Sequence, residues 1–111
     1  MSTTISLSVP PRGLVEHLRR MTDANDHSGA RRIVANWIVD QLREQGGTIA
    51  DADYRQAMSY FCLFDDIAMI HAELGYIPHE LYELRYRRTE EMLSFIGRLN
   101  PEAADAIRKA L

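Results

Sequence analysis

The sequence predicts an all-α fold: a small bundle of about five helices around one core. Three observations carry this expectation. Apolar residues recur at spacings of three and four along most of the chain, helix start and stop residues fall between those runs, and no segment alternates apolar with polar residues as a half-buried strand does. With 111 residues there is room for a single domain, 1–111, and for one modest core.

The first nine residues are rich in Ser and Thr and carry no charge, and Pro10-Pro11 follows them, so residues 1–9 are expected to form a flexible arm. The stretch Met1 to Pro10 lacks a charged start followed by a long apolar run, so it does not read as a secretory signal. Leu14, Leu18 and Met21, with Val15 beside them, make one face of a short helix that stops at Thr22-Asp23-Ala24-Asn25. The second helix starts at Asp26 or Ser28 and repeats Ala30, Ile33, Val34, Trp37, Ile38 and Leu42 before Gly46-Gly47 ends it.

A third helix runs from Asp53 to Gly75, with Asp53 and Gln56 in capping-box spacing. Its polar residues Arg55, Ser59, Asp66 and Glu73 project onto one narrow line, so it is expected to be enclosed by its neighbours. The fourth helix, Pro78 to Leu99, carries a main apolar arc of Leu81, Leu84, Met92, Phe95, Ile96 and Leu99, with Tyr82, Tyr86 and Leu93 on its far side. These two are expected to form a central antiparallel helical hairpin through Gly75-Tyr76, with Trp37 of the second helix as the main anchor against it. Asn100-Pro101-Glu102 is a strong start for a fifth helix ending near Leu111.

Asp65 projects onto the apolar side of the third helix, and a carboxylate there needs a partner. Arg88 projects into the main arc of the fourth helix with Arg85 at its edge, so a structural ion pair of Asp65 with Arg88, or else Arg85, is expected inside the bundle. His71 points inward as well, and about 120° away from Asp65, too far around the helix for the two to share one pocket. His79 and Glu83 are spaced to share a metal, but two ligands do not make a site. Cys62 is the one cysteine and is expected to be a small buried hydrophobe.

No nucleotide-binding glycine loop, nucleophile elbow or metal-binding helix occurs, so no catalytic residue, metal or cofactor is expected and the chain is read as a non-enzyme. Asp65, Asp66, His71 and Glu73 interrupt the best apolar run, which argues against a membrane span and for a cytoplasmic protein. A net charge of −3 gives no overall attraction to phosphate. The basic residues, nearly all arginine, fit a GC-rich bacterial or phage genome.

Arg85 and Arg87 interleave with Tyr82 and Tyr86, residue types that anchor protein interfaces. The expected function is therefore protein binding, as a small adaptor, regulator or stoichiometric inhibitor of a larger bacterial assembly, with Tyr82, Tyr86, Arg85 and Arg87 as partner-binding residues. A homodimer is a second expectation, because a short chain with two-sided apolar helices can complete its core with a copy of itself. Nucleic-acid binding through Arg19, Arg20, Arg31, Arg32 and Arg85 to Arg88 is the alternative, and it requires those arginines to share one surface.

Overall fold

The computed structural model describes residues 6–111, in which the chain forms five α-helices and no strand. They are α1 (Arg12–Asp23), α2 (His27–Glu44), α3 (Ala52–Leu74), α4 (His79–Leu99) and α5 (Pro101–Ala110). Among the described residues, no helix is long and apolar enough to cross a membrane.

The helix ends follow from local chemistry. Asp26 caps α2 by accepting from the Gly29 amide at 3.1 Å, which leaves Ser28 free for another role. At the other end the Gly46 amide donates to Arg43 O and the Gly47 amide to Leu42 O, the paired closure of a Schellman turn. Both glycines are required there: Gly46 has φ +88°, and a Cβ on Gly47 would stand 2.6 Å from Leu42 O. The Asp53–Gln56 capping box does not form, and the α3 N-cap is Asp51, whose carboxylate accepts from the Thr48 amide instead. Gly75 ends α3 in the left-handed region at φ +78°. Asn100 caps α5 through the Glu102 and Ala103 amides, as its sequence predicts.

The closest and longest helix contact is between α2 and α3, and it is antiparallel: Arg32 meets Asp65 at one end and Arg43 meets Tyr54 at the other. Val34, Ile38 and Leu42 from α2 share the core with Ala57, Tyr60 and Phe64 from α3, while Trp37 is only half-buried beside them. α4 returns along α3, with the Tyr60 and Phe95 rings edge-to-face at 6.1 Å, so the expected α3–α4 hairpin forms but is the looser of the two. α5 folds back on α4, and α1 packs against α2 and α5 to close the bundle. The Thr22 hydroxyl donates to Ala110 O across that closure.

Two further sequence expectations fail here. First, α3 is not enclosed: its fully buried residues, Ala57, Tyr60, Phe64 and Ile67, form one stripe, and Cys62, Met69 and Leu74 are exposed. The reason is that α1 and α5 lie beyond α2 and α4, leaving α3 two neighbours rather than a full ring. Second, the part of the expected arm that the structure describes is docked. Leu7 is only 4 % exposed and joins the core, its carbonyl accepts from Asn100 Nδ2 at 2.8 Å, and the Ser6 and Ser8 amides donate to Gln45 and Gln41. Residues 1–5 lie outside the described residues.

If Leu7 belongs to the core, Leu7→Ala should destabilise the fold by about 2–5 kcal/mol, read as a lower urea midpoint. A free arm would leave that midpoint unchanged.

Candidate functional site

The most distinctive chemistry lies where the first turns of α2 meet the first half of α4. Arg31 follows its helix onto the same stripe as Ala35, Ile38 and Leu42, and Arg85 heads the corresponding stripe of Thr89, Met92 and Ile96. Helical geometry therefore drives both guanidinium groups toward the interior. Arg85 is only 8 % exposed, and its Nη1 donates to Ser28 Oγ at 3.0 Å. Arg31 Nε donates to Thr89 Oγ1 at 2.8 Å, and its Nη1 donates to His27 O at 3.0 Å. The Thr89 hydroxyl in turn donates to Arg85 O at 2.7 Å. Arg85 also lies against the Tyr82 ring, 5.1 Å from its centroid.

These side chains line a cleft of about 250 Å³ bounded by His27, Arg31, Tyr82, Arg85, Tyr86 and Leu111. Among the described residues no carboxylate lies within ion-pair distance of Arg31 or Arg85. Two neighbouring cations are thus partly desolvated with only neutral partners. Burial, reinforced by the Arg85 charge, pushes the Arg31 guanidinium down to about 10, and burial lowers Arg85 as well. Both remain charged at neutral pH. His27 is lowered too, first by burial and then by the charges of Arg31 and Arg85, against a smaller opposing effect of Asp26.

The residues expected to bind a partner divide into two environments. Tyr82, Tyr86 and Arg87 are exposed on α4, whereas Arg85 is buried in the cleft wall. The expected ion pair of Asp65 with Arg88 or Arg85 does not form. Asp65 instead pairs with Arg32 at 3.1 Å across the α2–α3 seam, with 35 % and 40 % of the two side chains exposed, and Arg88 turns outward to Glu91 at 2.7 Å. The projection put Asp65 on the apolar side correctly, but that side faces α2 at its rim, not α4. Likewise Arg85, at the edge of the projected arc, is the arginine that enters, and Arg88, at its middle, is not.

Ser28, His27 and Thr89 were not singled out from sequence as members of a site. The usable signal was Arg31 itself, a charged residue standing on the buried stripe of α2 in the same relation as Arg85 on α4. A second cleft, larger and mostly apolar, opens beside the α2–α3 turn between Ile49, Tyr54, Met58 and Cys62; the cysteine expected to be buried is exposed there. His71 is half-buried and does not line the seam that holds Asp65. Among the described residues, no three His, Cys, Asp or Glu side chains gather as a metal site would require.

Because the Asp65–Arg32 pair lies at the surface, Asp65→Asn should change stability by no more than about 1 kcal/mol in urea unfolding. A loss of about 3–5 kcal/mol would be the signature of a buried pair instead. His27 should leave a pH signature. Its folded-state pKa lies below the unfolded value of 6.5, so the unfolded chain takes up the proton first. The stability it contributes is complete above 6.5 and is lost as pH falls from there through the folded pKa. His27→Asn should flatten that part of the stability curve, and an unchanged slope would show that His27 is not the group responsible.

Compared with known proteins, the chain matches no family, no curated protein and no solved structure, so the geometry above carries the functional reading alone.

Proposed function

We propose that the protein is a non-enzymatic binding module, a small adaptor, regulator or stoichiometric inhibitor in the bacterial or phage cytoplasm, that docks an acidic surface of another protein on the first half of α4. The observation that carries this reading is the exposure of Tyr82 and Tyr86, the latter 67 % accessible, beside arginines that have no carboxylate of their own. Tyrosine and arginine are the residue types that dominate binding energy at protein interfaces, and uncompensated positive charge selects a negative partner. Arg87 is exposed on the same helix and makes no ion pair among the described residues.

Tyr76 and Leu74 at the α3–α4 turn, and Met69 on α3, are exposed as well. The exposure of Leu74 and Tyr76 follows from register. With Arg32 opposite Asp65 and Arg43 opposite Tyr54, the start of α2 falls level with Ile70, so the last turn of α3 runs beyond it. A contact with a second protein would cover this overhang.

The nucleic-acid alternative is less well supported by the arrangement of the arginines. Arg32 and Arg88 are neutralised by Asp65 and Glu91, and Arg31 and Arg85 are recessed, so of that set only Arg19, Arg20 and Arg87 stay exposed without an ion pair among the described residues, the first two on α1 and the third on α4.

Capture of partners from the native host with immobilised wild-type protein should yield a specific acidic protein whose binding drops about thirtyfold in Tyr86→Ala, the effect of losing a hot-spot residue of about 2 kcal/mol. Arg87→Glu should weaken it further while the thermal midpoint of each variant stays that of the wild type. Retention of the same partner at equal strength by both variants overturns the reading. Capture of the chain itself, with a dimeric mass in solution at low concentration, would replace the acidic partner with a second copy.

A further inference from the structure

We propose that the cleft between α2 and α4 binds a small-molecule phosphate monoester, its phosphoryl oxygens held by Arg31 and Arg85 and its organic part, a flat ring, resting against Tyr82 and Tyr86. This goes beyond the protein-binding reading and does not depend on it.

The charge balance selects the ligand. The cleft presents two guanidinium groups whose protein partners are a serine hydroxyl, a threonine hydroxyl and a backbone carbonyl, all neutral. Glu90, whose charge acts on Arg31, is itself engaged by both terminal nitrogens of Arg108 at 3.2 Å. A carboxylate ligand would neutralise one of the two cations, whereas a phosphate monoester carries about −1.5 to −2 near pH 7 and matches both. Its oxygens also accept from the planar guanidinium fork with the geometry that group favours.

Both arginines line the cleft and keep unused donors. Arg31 spends Nε and one hydrogen of Nη1 on the protein, leaving Nη2 free, and Arg85 spends only Nη1. Among the described residues no fully buried side-chain nitrogen or oxygen lacks a partner, so the remaining nitrogens of Arg85, a residue of the cleft wall, keep solvent access despite its low exposure. The start of α2 contributes little, because Asp26 already occupies it. A purely structural role for the arginines leaves their charges unexplained: a neutral side chain could bridge Ser28 and Thr89 without the desolvation penalty. The tyrosines account for the rest of the ligand, since both line the cleft and an aromatic ring packs against such side chains.

The test is titration of the full chain with phenyl phosphate, inorganic phosphate and benzoate, followed by calorimetry and by the NMR signals of His27. Phenyl phosphate should saturate one site, with inorganic phosphate about tenfold weaker and benzoate weaker still. Arg31→Gln should weaken phenyl phosphate at least tenfold, and Tyr86→Ala, at an exposed position, should abolish its advantage over inorganic phosphate. Arg55→Gln, beside the α2–α3 turn, should leave both affinities unchanged. The bound phosphoryl group should raise the His27 pKa by neutralising Arg31 and Arg85, with Asp26 and the paired Glu90 as the other charges nearby. Failure to saturate, an equal loss in Arg55→Gln, benzoate binding as tightly as phenyl phosphate, or a His27 titration that does not move would each overturn the site. None of these results depends on the protein partner, so partner capture stands or falls separately.

Discussion

The antiparallel seam between α2 and α3 sets the position of everything else. Its turn allows no slack, because Gly46 must be left-handed and Gly47 must lie against the Leu42 carbonyl. Once that turn is closed, Val34, Ile38 and Leu42 are committed to the face of Ala57, Tyr60 and Phe64, and a shift of one residue along either helix would rotate those stripes apart by about 100°. Fixing this register decides where α3 outruns α2. It therefore decides that Leu74 and Tyr76 have nothing to pack against, and where α4 can begin its return.

The return places α4 parallel to α2, with their starts at one end of the molecule and their ends at the other. The two ends have been treated differently. At the far end the chain before α1 lays Leu7 between the ends of α2 and α4, and Gln41, Gln45 and Asn100 satisfy its backbone. That end is sealed. At the near end Leu111 borders the cleft without filling it, and the stripes of both helices finish not in leucine or isoleucine but in arginine, with Arg31 above Ala35, Ile38 and Leu42 and Arg85 above Thr89, Met92 and Ile96. A core that ends in two cations held by hydroxyls gives up stability at that point, since an apolar pair of similar volume would avoid the desolvation. Departures from local consistency of this kind concentrate at functional sites.

Much of the architecture was legible in the sequence because it depends on local rules. The five helices, the Asn100-Pro101 start and the glycine stops all follow from spacing and capping chemistry within one turn of chain, and they appear where those rules put them. What projection could not supply was which neighbour each face meets. Asp65 was correctly assigned to the apolar side of its helix, yet that side borders α2 near its rim, so the carboxylate finds Arg32 and water instead of Arg88. α3 looked enclosed because its side chains are apolar nearly all round, but composition does not count neighbours, and exposed Met69 and Cys62 are the consequence. Leu7 was hidden for the opposite reason: a single leucine in a Ser/Thr-rich stretch has no periodicity to announce it. The candidate site was half legible, in that Tyr82, Tyr86 and Arg85 came from one helix, whereas Arg31, Ser28 and His27 join them only through the long-range α2–α4 contact.

The charge of the whole chain is a poor guide to this site. A net charge of −3 argues against an anionic ligand only if the charges are spread evenly, and they are not. Acidic residues along the flanks are consumed pairwise: Asp65 by Arg32, Glu90 by Arg108, Glu91 by Arg88 and Asp105 by Lys109. Each such pair cancels locally, and in the cleft wall the charges of Arg31 and Arg85 each act on His27 more strongly than that of Asp26. Recession then matters more than number, because two guanidinium groups in a partly desolvated recess act on a ligand through a lower effective dielectric than arginines dispersed in solvent. An excess of acid elsewhere on the surface does not weaken that attraction at contact distance. It does disfavour long polyanions, which would have to lie across those flanks, and so narrows the acceptable ligand to one that places its negative charge at a single point.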